Sequence, residues 1–257
     1  MNSQEALAYP LVRRAGLNGM LVSFDSSLSE ASNRAALAFG SAVEALPLEG
    51  VVETMASVVE TMASLASVFV RFDPADLRHE ALEAALETLL TARNWLQAPL
   101  PAGRRFWRVP TVYGTDLAPQ LGEAADAAGL SEAQAIESLG AARVRVLTIG
   151  FAPGQPYLGS LGPEWNLPRQ TELTPMVPRG ALVQAISQFV LFSNPAPTGW
   201  RHVGQTGLTL FQPGAAQPFA LRPGDEMQFE PVSKPDFLKH CEDEPLLGGA
   251  IVAEIAA

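Results

Sequence analysis

Ile149-Gly150-Phe151-Ala152-Pro153-Gly154-Gln155-Pro156-Tyr157-Leu158-Gly159-Ser160-Leu161 holds three glycines and two prolines and follows directly on the apolar run 144–149. Glycine opens positive φ and lets another backbone approach closely, whereas proline fixes φ and removes a donor. The stretch therefore predicts a shaped, exposed loop at the end of a strand. Downstream to about residue 232, short apolar segments at 181–186, 190–192, 208–211, 219–221 and 227–232 alternate with Gly/Pro turns. Many short strands punctuated in this way make a barrel or a sandwich. A strand at 105–113 opens this half. Helices at 116–128, with Gly129 as C-terminal cap, and at 131–139, behind a Ser131…Gln134 capping box, are inserted in it.

Working upstream, 10–24 alternates like one or two strands, with a turn at Asn18-Gly19. Ser27-Leu28-Ser29-Glu30 has capping-box spacing for a helix over 31–46. Residues 51–57 and 58–64 are one heptapeptide, Val-Val-Glu-Thr-Met-Ala-Ser, in tandem. Seven residues preserve a helix face but flip a strand, so the copy reads as extra helix or as an ejected loop. The loop is favoured because β-branched pairs weaken a helix. A strand at 65–72, an Asp73-Pro74 cap and an amphipathic helix at 77–96 complete the half, with His79 on the helix's polar side. The boundary falls in the Pro/Gly-rich 97–103. The fold expected is α+β: a small α+β domain (1–98), then a β-barrel with inserted helices (104–235), then a tail (236–257).

The chain has 257 residues, 47% hydrophobic and 17% charged, enough for a sizeable core. Its formal net charge of −10 argues against a nucleic-acid or anionic-membrane binder, since no basic stripe offsets the repulsion. The lone Cys241 excludes an intramolecular disulfide and a cysteine-cluster metal site. No signal-peptide pattern or membrane-length apolar run occurs, so a cytoplasmic protein is expected. P-loop, dinucleotide, zinc-ligand and nucleophile-elbow patterns are absent, and no metal site is expected.

Individual residues leave alternatives open. His202 reads either as a surface-loop histidine or as one that touches a ligand or moves a proton. Tyr157 can hydrogen-bond a substrate or sit in the core with its hydroxyl satisfied. Arg169 can clamp an anion bidentately or make a surface salt bridge. Gln188, in an apolar strand, needs partners that a ligand can supply. Asp225, in Arg222-Pro223-Gly224-Asp225, reads as a turn-former.

These residues also carry a resemblance. The segment 150–161 resembles the GFxPGFPYLGGL signature of the KipI/PxpB family, also called allophanate hydrolase subunit 1. Pro168-Arg169, Val177-Pro178-Arg179-Gly180, Gly199-Trp200, His202-Val203-Gly204-Gln205-Thr206, Leu221–Asp225 and Phe229–Val232 follow in the family's order. Val109–Gly114 is similar to its IPVCYGG strand and Val68–Pro74 to its fVxFDP segment. The resemblance implies a cyclophilin-like barrel and a partner subunit of the KipA/PxpC type. With that partner it implies the activation, by phosphorylation from ATP with Mg in the complex, of a small amide or lactam such as 5-oxoproline. Phe151, Pro153, Gly154 and Tyr157 would form a pocket lip, and Gln188, Gln205 and Thr206 would bind. Arg169 and His202 would be catalytic. The chain departs from the pattern at Gly140, where the family has histidine, and at Gln155, where it has phenylalanine. Ile186-Ser187 replaces Gly-Gly, and Gln205 and Gly207 replace the arginine and proline of IGRTP. An interaction protein such as a sensor-kinase inhibitor is the alternative, and a prolyl isomerase rests on barrel analogy alone.

Overall fold

The computed structural model describes residues 8–46, 58–63 and 65–255. The chain divides into two compact units, 1–102 and 103–257.

The first unit is a four-stranded antiparallel sheet with helices. β1 (Leu11–Arg14) and β2 (Gly19–Ser23) form a hairpin, and β4 (Ser67–Phe72) joins β2 to the edge strand β3 (Val58–Ala63), giving the order β1-β2-β4-β3. Gly16, not the Asn18-Gly19 pair, supplies the positive φ of the hairpin turn. Gly19 is needed for space, because a Cβ there would lie 2.5 Å from the Ala15 carbonyl and from the Phe69 ring. The cap of α1 (Glu30–Glu44) is Ser29, two residues beyond the expected Ser27. Ser29 accepts from the Ser32 N–H and Ser32 answers, so the box is Ser29…Ser32. α2 (His79–Thr91) is shorter than 77–96, and Trp95–Gln97 forms a 3-10 turn. Phe39 meets Phe24 and Trp95 edge-on at 5.4 and 5.0 Å inside a core of Met20, Val22, Val68, Val70, Leu82 and Leu86. His79 is half-buried edge-on against Phe72 at 4.7 Å rather than solvated. Residues 58–63 of the second heptapeptide copy form β3, neither helix nor loop, since Val-Val and Thr favour a strand. The first copy lies outside the described residues.

The second unit is a closed barrel with helices. Its ring is β12 (Arg201–Thr206), β9 (Ala181–Ala185), β10 (Gln188–Leu191), β7 (Pro156–Gly159), β6 (Arg143–Ile149), β13 (Glu226–Pro231) and β5 (Arg105–Tyr113), which pairs back to β12. β5 and β13 run parallel, and the other ring pairs are antiparallel. α3 (Leu121–Ala128) and α4 (Glu132–Ala141) fall between β5 and β6, with the Gly129 αL cap and the Ser131…Gln134 box in place. The core holds Trp107, Val109, Val144, Val146, Leu158, Leu182, Phe189, Leu191, Val203, Met227 and Phe229, with apolar side chains of the two helices packed on it. A two-stranded ribbon, β8 (Thr174–Val177) with β11 (Ala196–Thr198), stands apart from the ring. The expected strands at 208–211 and 219–221 do not form; a single bridge links Phe211 and Phe219. Residues expected as a tail carry α5 (Lys234–Asp243) and β14 (Ile251–Glu254), which pairs with the start of β5. Asp225 is fully buried. Its carboxylate accepts from the Arg105 backbone N–H at 3.1 Å, the Arg105 guanidinium and the Arg222 N–H at 3.2 Å, so it anchors the turn before β13.

Candidate functional site

Register fixes which side chains share the outer face of the wall β12-β9-β10-β7. His202 lies opposite Val183, Val183 opposite Val190, and Val190 opposite Tyr157. On one side of this row Gln205 pairs with Ala181; on the other Gln188 lies between Ala185 and Gly159. Paired residues point to one side of a sheet. Tyr157, Gln188, His202 and Gln205, separated by up to 48 positions, therefore share a face.

A bulge makes this possible. Residues three apart in a regular strand face opposite ways, but in β12 the register shifts between His202 and Gly204. The extra residue, Val203, points into the barrel core, so His202 and Gln205 both turn outward. Gly204 is required here, since a Cβ would lie 2.9 Å from Thr111 Cγ2. Thr206, next along β12, points the other way by alternation. It is buried, and its Oγ1 has no hydrogen-bond partner.

The floor of the face is apolar. Ala181, Val183, Ala185, Val190 and Phe192 form a second cluster with Trp200 and with Val177 from the β8–β11 ribbon, which covers them. Trp200 meets Tyr157 edge-on at 6.4 Å, and the Arg169 guanidinium lies 5.4 Å from the Trp200 ring. Arg169 is exposed and makes no ion pair among the described residues. Gln120 and Gln170 latch the margin: Gln120 Nε2 donates to Gln170 Oε1 at 2.7 Å, and the His202 backbone N–H donates to Gln120 Oε1 at 2.9 Å. Gln170 Nε2 donates to the Trp200 carbonyl at 2.9 Å.

Burial pushes the His202 imidazole below the ordinary histidine range, against a smaller upward pull from hydrogen bonding to the Gly204 backbone and the Gln205 side chain. The ring is therefore neutral at pH 7, and its Nε2 is buried with no partner in hydrogen-bond geometry. Gln205 Nε2 donates to the carbonyls of Arg179 and Thr206 at 2.8 and 3.1 Å. Those bonds fix the amide and turn its Oε1 toward the His202 ring, whose protonated form it favours.

The opening motif is more strand than its glycines and prolines suggest. Pro156–Gly159 is β7, which puts Tyr157 on the wall rather than at a loop lip. Within the remaining loop the Gly150 N–H donates to the Gln155 carbonyl at 3.0 Å, and the Gln155 N–H donates to the Ala152 carbonyl at 3.1 Å. Phe151 has φ 71° and is 79% exposed. Gly154 has φ 74°, and a Cβ on it would lie 2.8 Å from the Leu210 carbonyl. Phe151, Pro153 and Gly154 thus occupy the loop end of the wall. Gln188, beside Gly159, stands four residues further along β7 from Gln155, about 13 Å at strand rise. Sequence reasoning assigned no role to Trp200, the stacking centre, or to the Gln120–Gln170 latch. Their signals were an aromatic after a glycine and two lone glutamines.

None of Tyr157, Gln188, His202 and Gln205 is a carboxylate, so a magnesium ion arriving with a nucleotide would take its ligands there from phosphate and water; Arg169, beside Trp200, is the cation that could meet the phosphates. Among the described residues no group of three or more His, Cys, Asp or Glu can hold a metal ion. The groups on the wall are neutral, Arg179 is bonded to Thr209, and Arg201 to Glu123 and the Pro168 carbonyl. The loop N–H groups of Gly150 and Gln155 already donate within the loop, and the space at Gly154 is filled by Leu210.

The model of the carboxyltransferase domain, subdomain C and D, matches residues 10–221. The chain belongs to this family. It is 36% identical to a 5-oxoprolinase subunit of Escherichia coli O157:H7 over 57% of its own length and 68% of the relative's. It is 25% identical to the corresponding 5-oxoprolinase subunit of Bacillus subtilis over 90% of this chain and 97% of that one. These matches bear out the KipI/PxpB resemblance. Among solved structures, TTHA0988 superposes with a TM-score of 0.69 at 27% identity, over 85% of this chain and 40% of that protein. Urea amidolyase of K. lactis superposes with a TM-score of 0.70 at 18% identity, over 95% of this chain and 16% of that one, a likeness of fold. The chain spans about two fifths of TTHA0988. Among the described residues no helix is long and apolar enough to cross a membrane.

Proposed function

We propose that this carboxyltransferase-family chain is a non-autonomous subunit of an ATP-dependent amidohydrolase acting on a small amide or lactam of the 5-oxoproline type. It works with a partner of the KipA/PxpC type. Family membership, with two relatives named as 5-oxoprolinase subunits, supports the reaction class. The observation that carries the site is the convergence of Tyr157, Gln188, His202 and Gln205 on one apolar-floored face. In this reading the wall's carboxamides orient the amide through its N–H and C=O, and the apolar floor excludes water from it. Arg169, held over Trp200, contacts an anionic group of the substrate from outside. An amide oxygen becomes a leaving group once it is phosphorylated, which calls for positioning more than for a side-chain nucleophile.

The test is amide-dependent ATP hydrolysis by this chain reconstituted with its partner subunits, offered 5-oxoproline. The intact complex is expected to turn over. Arg169→Ala is expected to raise KM at least tenfold with kcat little changed. His202→Ala is expected to reduce kcat/KM at least tenfold. An inert intact complex, or unchanged kinetics in both variants, sinks the reading.

A further inference from the structure

β12 pairs with β5 only over residues 204–206, where β5 runs out at Tyr113. At His202 the place of that strand is taken by Gln120. Its backbone N–H donates to the His202 carbonyl at 3.0 Å, and its Oε1 accepts from the His202 N–H at 2.9 Å. Gln120 is the N-cap of α3, yet its side chain makes no capping bond; it serves β12 instead. The bond to the His202 N–H fixes which way the carboxamide points, because only its oxygen can accept. Nε2 is left to donate to Gln170 Oε1 at 2.7 Å, and Gln170 Nε2 donates in turn to the Trp200 carbonyl at 2.9 Å. The chain of bonds thus has one direction, from the His202 N–H through two amides to the Trp200 C=O. Arg201, between those residues, is held as well: its guanidinium donates to Glu123 Oε1 at 2.9 Å and to the Pro168 carbonyl at 2.8 Å. The Gln170 N–H donates to the Gly199 carbonyl at 2.7 Å. Both neighbours of Arg169 are therefore bonded to the start of β12, which keeps its guanidinium 5.4 Å from the Trp200 ring.

Resting on the amidohydrolase-subunit reading, we propose that Gln120 and Gln170 are positioning residues for its reaction. Acting through the backbone of residues 199–202, they hold His202 on the wall and Arg169 over Trp200 in one arrangement. Neither amide touches the substrate. A carboxamide accepts and donates from one planar group, so a carboxylate cannot stand in for either. Gln120→Glu still accepts from the His202 N–H, but its second oxygen faces Gln170 Oε1. Turning the Gln170 amide over relieves that contact and sets Oε1 against the Trp200 carbonyl. In Gln120→Glu/Gln170→Lys an ammonium donates both to the new carboxylate and to the Trp200 carbonyl, and the chain closes again. Loss of the chain shifts the backbone that carries His202 and flanks Arg169, and small misplacements of reacting groups are costly in rate.

Two measurements test this. Amide hydrogen exchange of the full chain, followed at single residues by NMR, is expected to quicken at least tenfold at His202 in Gln120→Met. The same is expected in Gln170→Met, one amide further away, with residues 204–206 unchanged in both; if one variant misfolds, the other decides. In the reconstituted complex offered 5-oxoproline, both Met variants and Gln120→Glu are expected to lose at least tenfold in kcat/KM. Gln120→Glu/Gln170→Lys is expected to recover to within threefold of the parent. Unchanged exchange at His202 overturns the proposal, as do Met variants with parent kinetics or a double variant no better than Gln120→Glu. Exchange that rises throughout β9 and β12 marks a general loosening of the fold and overturns it too. An inert parent complex sinks the amidohydrolase reading, and with it the role in that reaction, while faster exchange at His202 still shows the two amides holding it.

Discussion

Ile186 and Ser187, at φ 46° and 57°, connect β9 to β10 through a two-residue turn that glycine and asparagine normally occupy. Left-handed angles cost a non-glycine residue about 1–2 kcal/mol. The turn holds because the Ile186 N–H donates to the Leu167 carbonyl at 2.7 Å and the Ser187 N–H donates to the Trp165 carbonyl at 3.0 Å. Ser187→Gly should therefore stabilise the fold by about 1 kcal/mol in urea denaturation. Gly154→Ala, by contrast, meets both a positive φ and the Leu210 carbonyl, and should cost about 2 kcal/mol or more. His202 sets a pH dependence. Its folded pKa is depressed, so the unfolded chain takes up the proton first as pH falls through about 6.5. This contribution to stability is full above that value and is lost below it. Melting temperature measured from pH 8 to pH 5 should fall more steeply for the parent than for His202→Phe.

Elements were legible where a single period ran unbroken. Strands β5 and β6, helix α4 and its capping box stand close to where alternation and Ser131…Gln134 placed them. β12 was hidden because Val203 and Gly204 break its alternation and because His202, Gln205 and Thr206 are polar. β7 was hidden because Pro156 and Gly159, which bracket Tyr157, read as loop punctuation. The grouping of Tyr157, Gln188, His202 and Gln205 depends on register between four strands, which no local pattern encodes. Leu208 and Leu210 misled in the other direction: they are buried, but in a segment without ladder partners. The tandem heptapeptide offers a test at this scale. Deleting either copy yields the same chain, in which the remaining copy still runs directly into Leu65 and can pair with β4 as β3 does. A melting temperature within about 3 °C of the parent is expected because the sequence that pairs with β4 is retained; a loss of cooperative unfolding would show that both copies are needed.

The whole second unit depends on a ring that its chain order makes hard to close. β5 is the first ring strand to be made, yet one neighbour is β12 and the other, in parallel, is β13. About 110 residues separate the end of β5 from the start of β13. At ribosomal speeds of about 5–20 residues per second, β5 waits roughly 5 to 20 seconds for that neighbour. Contacts so distant in sequence are also slow to form in a free chain. The edges of β5 and β6 that β13 fills are meanwhile open, and the life of the protein begins with an interval in which it is most open to capture by a chaperone or by a second nascent copy.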